Sequence, residues 1–119
     1  MILSLALATV FTVGAAAPAL ATTAASRRKV VATIKVVARR HHLSAANSRA
    51  LVTLAKRESS YNPRARNGSC KGLFQLMTSA PKRRWVNATW NTTVAISYMK
   101  RRYGSPAKAL RHSYRYGWY

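Results

Sequence analysis

Glu58 is the only acidic side chain in a chain of 119 residues, and it stands against 21 Lys and Arg. A protein built merely to be basic has no use for one carboxylate placed directly after Lys56-Arg57. The formal charge of +20 points to a polyanionic partner such as nucleic acid, an acidic membrane or an anionic wall polymer. Yet 49% of the residues are hydrophobic, with three Trp and six Tyr, which excludes a disordered basic tail. The length allows one domain. Cys70 is the only cysteine, so no internal disulfide can form, and no Cys/His set has zinc spacing. His41-His42 are adjacent, point in different directions on a helix, and make a poor metal pair.

Residues 1–21 (MILSLALATVFTVGAAAPALA) carry no charged side chain and end in Ala19-Leu20-Ala21, a small-x-small cleavage pattern. This reads as a secretory signal peptide. An uncleaved membrane anchor is the alternative, and Thr9, Thr12, Gly14 and Pro18 weigh against it. Export places the protein in the cell envelope or outside the cell.

Residues 22–43 hold a short linker and a basic amphipathic helix. From Arg27, with Ser26 as its cap, the helix carries an apolar stripe at Val30, Val31, Ile34, Val37 and Ala38. Such a helix either packs a core or lies on a membrane; core packing is the commoner role. Ser44 caps a second helix over Ala45–Ser59 whose apolar face holds Ala50, Leu51, Leu54 and Ala55. Glu58 lies four residues after Leu54 and three after Ala55, so it continues the buried stripe. Asn62-Pro63 ends the helix, and a loop with Asn67-Gly68 follows. Next come the apolar run Gly72–Met77, which contains Gln75, and a short helix capped by Thr78 or Ser79 that ends near Trp85. Asn87–Asn91 reads as a turn. A helix then runs from about Asn91 to Tyr103, with Val94, Ala95, Tyr98 and Met99 inward. Ser105-Pro106 starts a last short helix, and Tyr114–Tyr119 shows no helical period.

Glu58-Ser59-Ser60-Tyr61-Asn62-Pro63 followed by Gly72-Leu73-Phe74-Gln75-Leu76-Met77 resembles the paired motifs of the soluble lytic transglycosylases, in the lysozyme-like superfamily. The Asn91-to-Met99 stretch is similar to the family's third element, an Asn-led helix, and Ala109–Ser113 through Gly117–Tyr119 resembles the ending of small actinobacterial and phage-tail versions. The resemblance covers residues 44–119, the expected catalytic domain. It implies a mainly α fold of the lysozyme-like α+β type, with a minimal β element and two helical lobes around a cleft. It also implies that Glu58 is the catalytic acid and that Ser59, Gln75, Tyr98 and His112 contact substrate. Gln75 would bond an acetamido group or Glu58 itself; Trp118 and Tyr119 would stack on sugars or seal a lobe.

The count of carboxylates bears on mechanism. Hydrolysis of glycosides by either common route needs two carboxyl groups flanking the bond, and here there is no second Asp or Glu. A transglycosylase uses one acid, then closes a 1,6-anhydro ring with the sugar's own hydroxyl. No metal or cofactor is needed. To act as an acid, Glu58 must be sheltered by burial from the 21 cations. The expected partners are peptidoglycan glycan strands and anionic wall polymers, bound by a monomer without a stable membrane span after processing. A lysozyme-type hydrolase and a non-catalytic cationic wall- or membrane-binding protein are the alternatives. Nucleic-acid binding rests on charge alone, with no matching motif.

Overall fold

A computed structural model describes residues 22–119, and the leader expected at 1–21 lies outside the described residues. The described chain is mainly helical with a small three-stranded sheet. The first helix, α1 (Ala24–Arg40), starts three residues before Arg27 because Thr23, not Ser26, is its cap. The Thr23 hydroxyl oxygen accepts from the Ser26 N–H, which satisfies an N-terminal donor that would otherwise have no partner. The second helix, α2 (Ala45–Ser59), has the expected bounds, with Ser44 accepting from the Asn47 N–H.

Strands β1 (Arg66–Asn67), β2 (Cys70–Lys71) and β3 (Leu76–Met77) pair antiparallel in that order. Their register sets Asn67 opposite Cys70 and Lys71 opposite Leu76. Helix α3 (Lys82–Trp85) has Pro81 at its cap position rather than Thr78 or Ser79. The turn expected over Asn87–Asn91 is instead the first turn of α4 (Ala88–Tyr103), capped by the Asn87 side chain on the Trp90 N–H. Asn91 is therefore inside a helix and buried. Helix α5 (Pro106–Tyr116) is capped by Ser105 and runs through Tyr114 and Tyr116, which were expected to lie beyond its end. Tyr114 and Tyr116 face solvent, which hides their helical period from any apolar-stripe argument.

One core joins the helices. Val30, Ile34, Val37 and Ala38 of α1 pack with Leu51, Leu54 and Ala55 of α2, Leu73 and Phe74 of the central segment, and Ala95, Ile96 and Met99 of α4. The basic N-terminal helix is thus part of the same core as residues 44–119, and not an appendage to it. Helix α2 lies against both α1 and α5, and α4 against α1, α3 and α5. Glu58 sits in the last turn of α2, in the middle of this packing.

Candidate active site

The site is built on the last turn of α2 and the Gly72–Gln75 segment that crosses beneath it. Glu58 is 1% exposed. Removing a carboxylate from water disfavours its charged form, and so does the negative end of the helix macrodipole at the C-terminus of α2. The neighbouring cation Arg57 is turned towards α5. Its Nε donates to the Ser113 hydroxyl at 3.1 Å, its Nη2 donates to the Ser113 carbonyl at 3.3 Å, and its guanidinium lies 4.6 Å from the Tyr114 ring centre.

Three side chains from three elements hold the crossing segment by its backbone. Ser59, the last residue of α2, donates to the Leu73 carbonyl at 2.7 Å and approaches the Ala55 carbonyl at 3.0 Å. Asn91 of α4 accepts from the Phe74 N–H at 2.9 Å, and its amide nitrogen donates to the Trp85 and Lys71 carbonyls. Tyr119, fully buried, donates to the Phe74 carbonyl at 2.6 Å. The segment is the tight turn between β2 and β3, closed by the Gln75 N–H on the Gly72 carbonyl at 3.0 Å. The backbone groups of Leu73 and Phe74 that the turn leaves over need such bonds, because each unsatisfied buried backbone group costs about 1–3 kcal/mol. Gly72 is required by the same packing. Its φ is +80°, and a Cβ there would lie 2.3 Å from Asn91 Nδ2 and 2.5 Å from the Trp85 carbonyl oxygen.

Gln75 is fully buried at φ 51°. Both of its side-chain amide bonds, to the carbonyls of Gly72 at 2.9 Å and Ala65 at 3.1 Å, stay inside the fold. They tie the segment to the chain that leads into β1. Ser59 is buried as well, so its hydroxyl and the Gln75 amide group act as internal ties where the motif resemblance implied substrate contacts. Gln75 Oε1 is buried and makes no hydrogen bond.

Tyr98 of α4 is half-buried, its ring set edge-on to Tyr103 and Tyr119 at 6.2 Å from each. Burial and then the Glu58 charge push the Tyr119 phenol well above its ordinary value, with smaller contributions from Tyr98 and Tyr103. Tyr119 is thus electrostatically coupled to the acid and stays protonated as a donor. His112 lies on α5, its Nδ1 bonded to the Trp118 carbonyl at 2.8 Å, so the ring carries its proton on Nδ1. Its ring packs among Tyr103, Tyr116 and Trp118. This bond folds the last three residues back and seats Tyr119 in the core. Sequence reasoning did not assign Asn91 a role at the site and left Tyr119 open. The signal for Asn91 was an Asn at helical spacing from Ala95 and Met99, on the buried face.

Two further strained residues follow the acid. Ser60 (φ 51°) and Tyr61 (φ 62°) are consecutive left-handed residues without being glycine. Each such conformation costs about 1–2 kcal/mol, and a bulky residue rarely adopts it.

The fold and site together define a lysozyme-like, mainly α domain with one sheltered carboxyl at the end of a helix. Residues 36–117 match the model of the transglycosylase SLT domain, and the chain belongs to that family. Membership assigns it to lytic-transglycosylase-type chemistry directed at peptidoglycan. No curated protein and no solved structure matches the chain.

Proposed function

We propose that the protein is a peptidoglycan lytic transglycosylase that cleaves the β-1,4 bond from N-acetylmuramic acid to N-acetylglucosamine, with Glu58 as its only catalytic carboxyl group. The observation that carries this reading is the burial of the sole acidic side chain, to 1% exposure, in a chain of +20 charge. A carboxylate kept only for solubility would sit at the surface among the cations.

The steps use what one carboxyl can do. Protonated Glu58 gives its proton to the bridging oxygen as the bond to C1 of the muramic sugar breaks, and N-acetylglucosamine leaves with its 4-hydroxyl restored. The neighbouring N-acetyl group of the substrate stabilises the positive charge at C1. The Glu58 carboxylate then takes the proton of the muramic 6-hydroxyl, whose oxygen bonds to C1 and closes the 1,6-anhydro ring. The acid is regenerated and no water is consumed. Either usual route of hydrolysis uses a second carboxyl group, to activate water or to form a glycosyl intermediate, and the chain has no other Asp or Glu. At 1% exposure, Glu58 meets a glycosidic oxygen only after neighbouring side chains move.

The reading carries export with it, supported by the uncharged apolar leader at residues 1–21. Anionic wall polymers would draw so basic a protein to the wall in a salt-dependent manner. Glu58→Gln is the test. It should abolish release of soluble fragments from purified peptidoglycan while sedimentation with the insoluble wall persists. Undiminished release would instead support the cationic, non-catalytic alternative.

A further inference from the structure

The chain holds five asparagines, and the structure sets one of them apart. Four are restrained through their side chains. The amide oxygen of Asn47 accepts from the Ala107 N–H at 3.0 Å, and those of Asn62, Asn87 and Asn91 accept from the N–H groups of Arg64, Trp90 and Phe74 at 2.9 Å each. Asn62 is also followed by Pro63, whose nitrogen carries no hydrogen. Asn67 is the exception. It is half-buried, its side-chain amide makes no hydrogen bond among the described residues, and the next residue is Gly68.

Gly68 and Ser69 form the two-residue loop between the paired Asn67 and Cys70. Gly68 takes φ +60°, as the first central residue of a type II′ hairpin turn does. Both loop residues are exposed, and no atom comes within 4 Å of the place a Gly68 Cβ would occupy. Among the described residues the Gly68 N–H has no acceptor. A backbone nitrogen with no side chain crowding it and no hydrogen bond holding it can reach the side-chain carbon of the preceding asparagine once the turn opens. Opening is local, because each strand of this hairpin is two residues long. Arg66 adds a cation at the turn, its Nε 3.5 Å from the Gly68 carbonyl oxygen. Positive charge there favours loss of the Gly68 amide proton, the step that makes the nitrogen a nucleophile.

We infer that Asn67 is a site of spontaneous modification, at which the Gly68 backbone nitrogen attacks the asparagine side chain and converts it to a carboxylate. The nitrogen gives its proton to solvent and bonds to Asn67 Cγ, and the side-chain nitrogen leaves as ammonia, closing a five-membered imide. Water then opens that ring at either carbonyl and yields aspartate or isoaspartate. In sum, one amide and one water become one carboxylate and one ammonium ion. The product is the second acidic side chain of the chain, and it lowers the formal charge from +20 to 20 − 1 = +19. Its attraction to polyanions weakens accordingly. The isoaspartate form also lengthens the main chain at the Asn67–Cys70 pair, which loosens β1 from β2. None of this depends on the reaction assigned to Glu58.

The test is to incubate the full chain, folded and at mildly alkaline pH, and to follow it by cation exchange and by peptide mass mapping. A new peak should appear with one positive charge fewer, and mapping should place the change at Asn67, with a mass gain equal to an amide replaced by a carboxyl group. Ammonia should be released in step with that peak. Asn67→Ser, a substitution at the edge of an exposed turn, should abolish both the peak and the ammonia. Conversion of another asparagine before Asn67 would overturn the inference, as would a charge loss that persists in Asn67→Ser. So would conversion of Asn67 in urea with none in the folded chain, because the hairpin would then protect the residue that it is here said to expose.

Discussion

Asn91→Leu should be among the most damaging single substitutions in this protein, although Asn91 has no place in the proposed chemistry. Leucine is close in size, so the cost is almost wholly that of lost hydrogen bonds. Three are removed: the 2.9 Å bond from the Phe74 N–H, and those to the Trp85 and Lys71 carbonyls at 3.2 and 3.3 Å. Leaving the buried Phe74 N–H unsatisfied costs about 2–3 kcal/mol, and the two carbonyls, which tolerate it better, about 1 kcal/mol each. The sum is about 4–5 kcal/mol, against a total stability of about 5–15 kcal/mol for a domain of this kind. Urea unfolding followed by tryptophan fluorescence measures it directly. With a slope of about 1–2 kcal/mol per molar, the midpoint should fall by at least 2 M. A loss below about 1 kcal/mol would refute the claim that this side chain fastens the Gly72–Gln75 segment under the acid.

Three further outcomes follow from the same geometry. Gly72→Ala should cost at least as much as a lost cap, about 2–4 kcal/mol, since both the +80° backbone and the 2.3 Å approach to Asn91 oppose a Cβ; thermal melts would show it. Burial pushes the Tyr103 phenol up to about 12, with help from Tyr98, and lifts Tyr119 further above its ordinary value of 10.0. Folded-state values raised in this way mean that stability is complete below pH 10.0 and is lost as pH rises through 10.0 towards about 12. Ultraviolet phenolate titration should find Tyr103 and Tyr119 ionising above the ordinary phenol value, with unfolding in the same interval. Finally, a surface whose charges are nearly all positive is destabilised by its own repulsion, so added sodium chloride should raise the melting temperature as screening shortens from about 30 Å at 0.01 M to about 10 Å at 0.1 M.

The parts of the fold that were legible are those specified by local patterns. The Leu51-Leu54-Ala55-Glu58 stripe and the Ser44 cap set α2 correctly, and the solitude of Glu58 drew attention to the acid before any geometry was known. Caps supplied by less obvious residues were misplaced, as at Thr23 and Asn87. The Asn- and Thr-rich stretch at 87–93 has weak helix propensity, and only tertiary packing makes it helical. Strands two residues long leave no alternating pattern, so the sheet appeared only as one extended apolar run.

The site was legible in its chemistry and not in its supports. Ser59, Gln75 and Asn91 are polar residues on buried faces, which sequence marks as important without saying what they bond. Ser59 and Gln75 satisfy backbone carbonyls 14 and 10 residues away, and Asn91 does so for an N–H 17 residues away. Such partners depend on how segments cross and not on spacing within one of them. Tyr119 is the clearest case. Its place in the core depends on the turn at Gly117 and on the His112–Trp118 bond, and nothing in an aromatic C-terminal stretch distinguishes a core residue from an exposed one.

The account stands or falls on one carboxyl group making an anhydro sugar. The decisive measurement is mass spectrometry of the fragments released from purified peptidoglycan by wild-type protein and by Glu58→Gln. Wild type should release muropeptides one water lighter than their reducing-end counterparts, and Glu58→Gln should release none. Reducing-end products from wild type, or anhydro products from the Glu58→Gln protein, would contradict it.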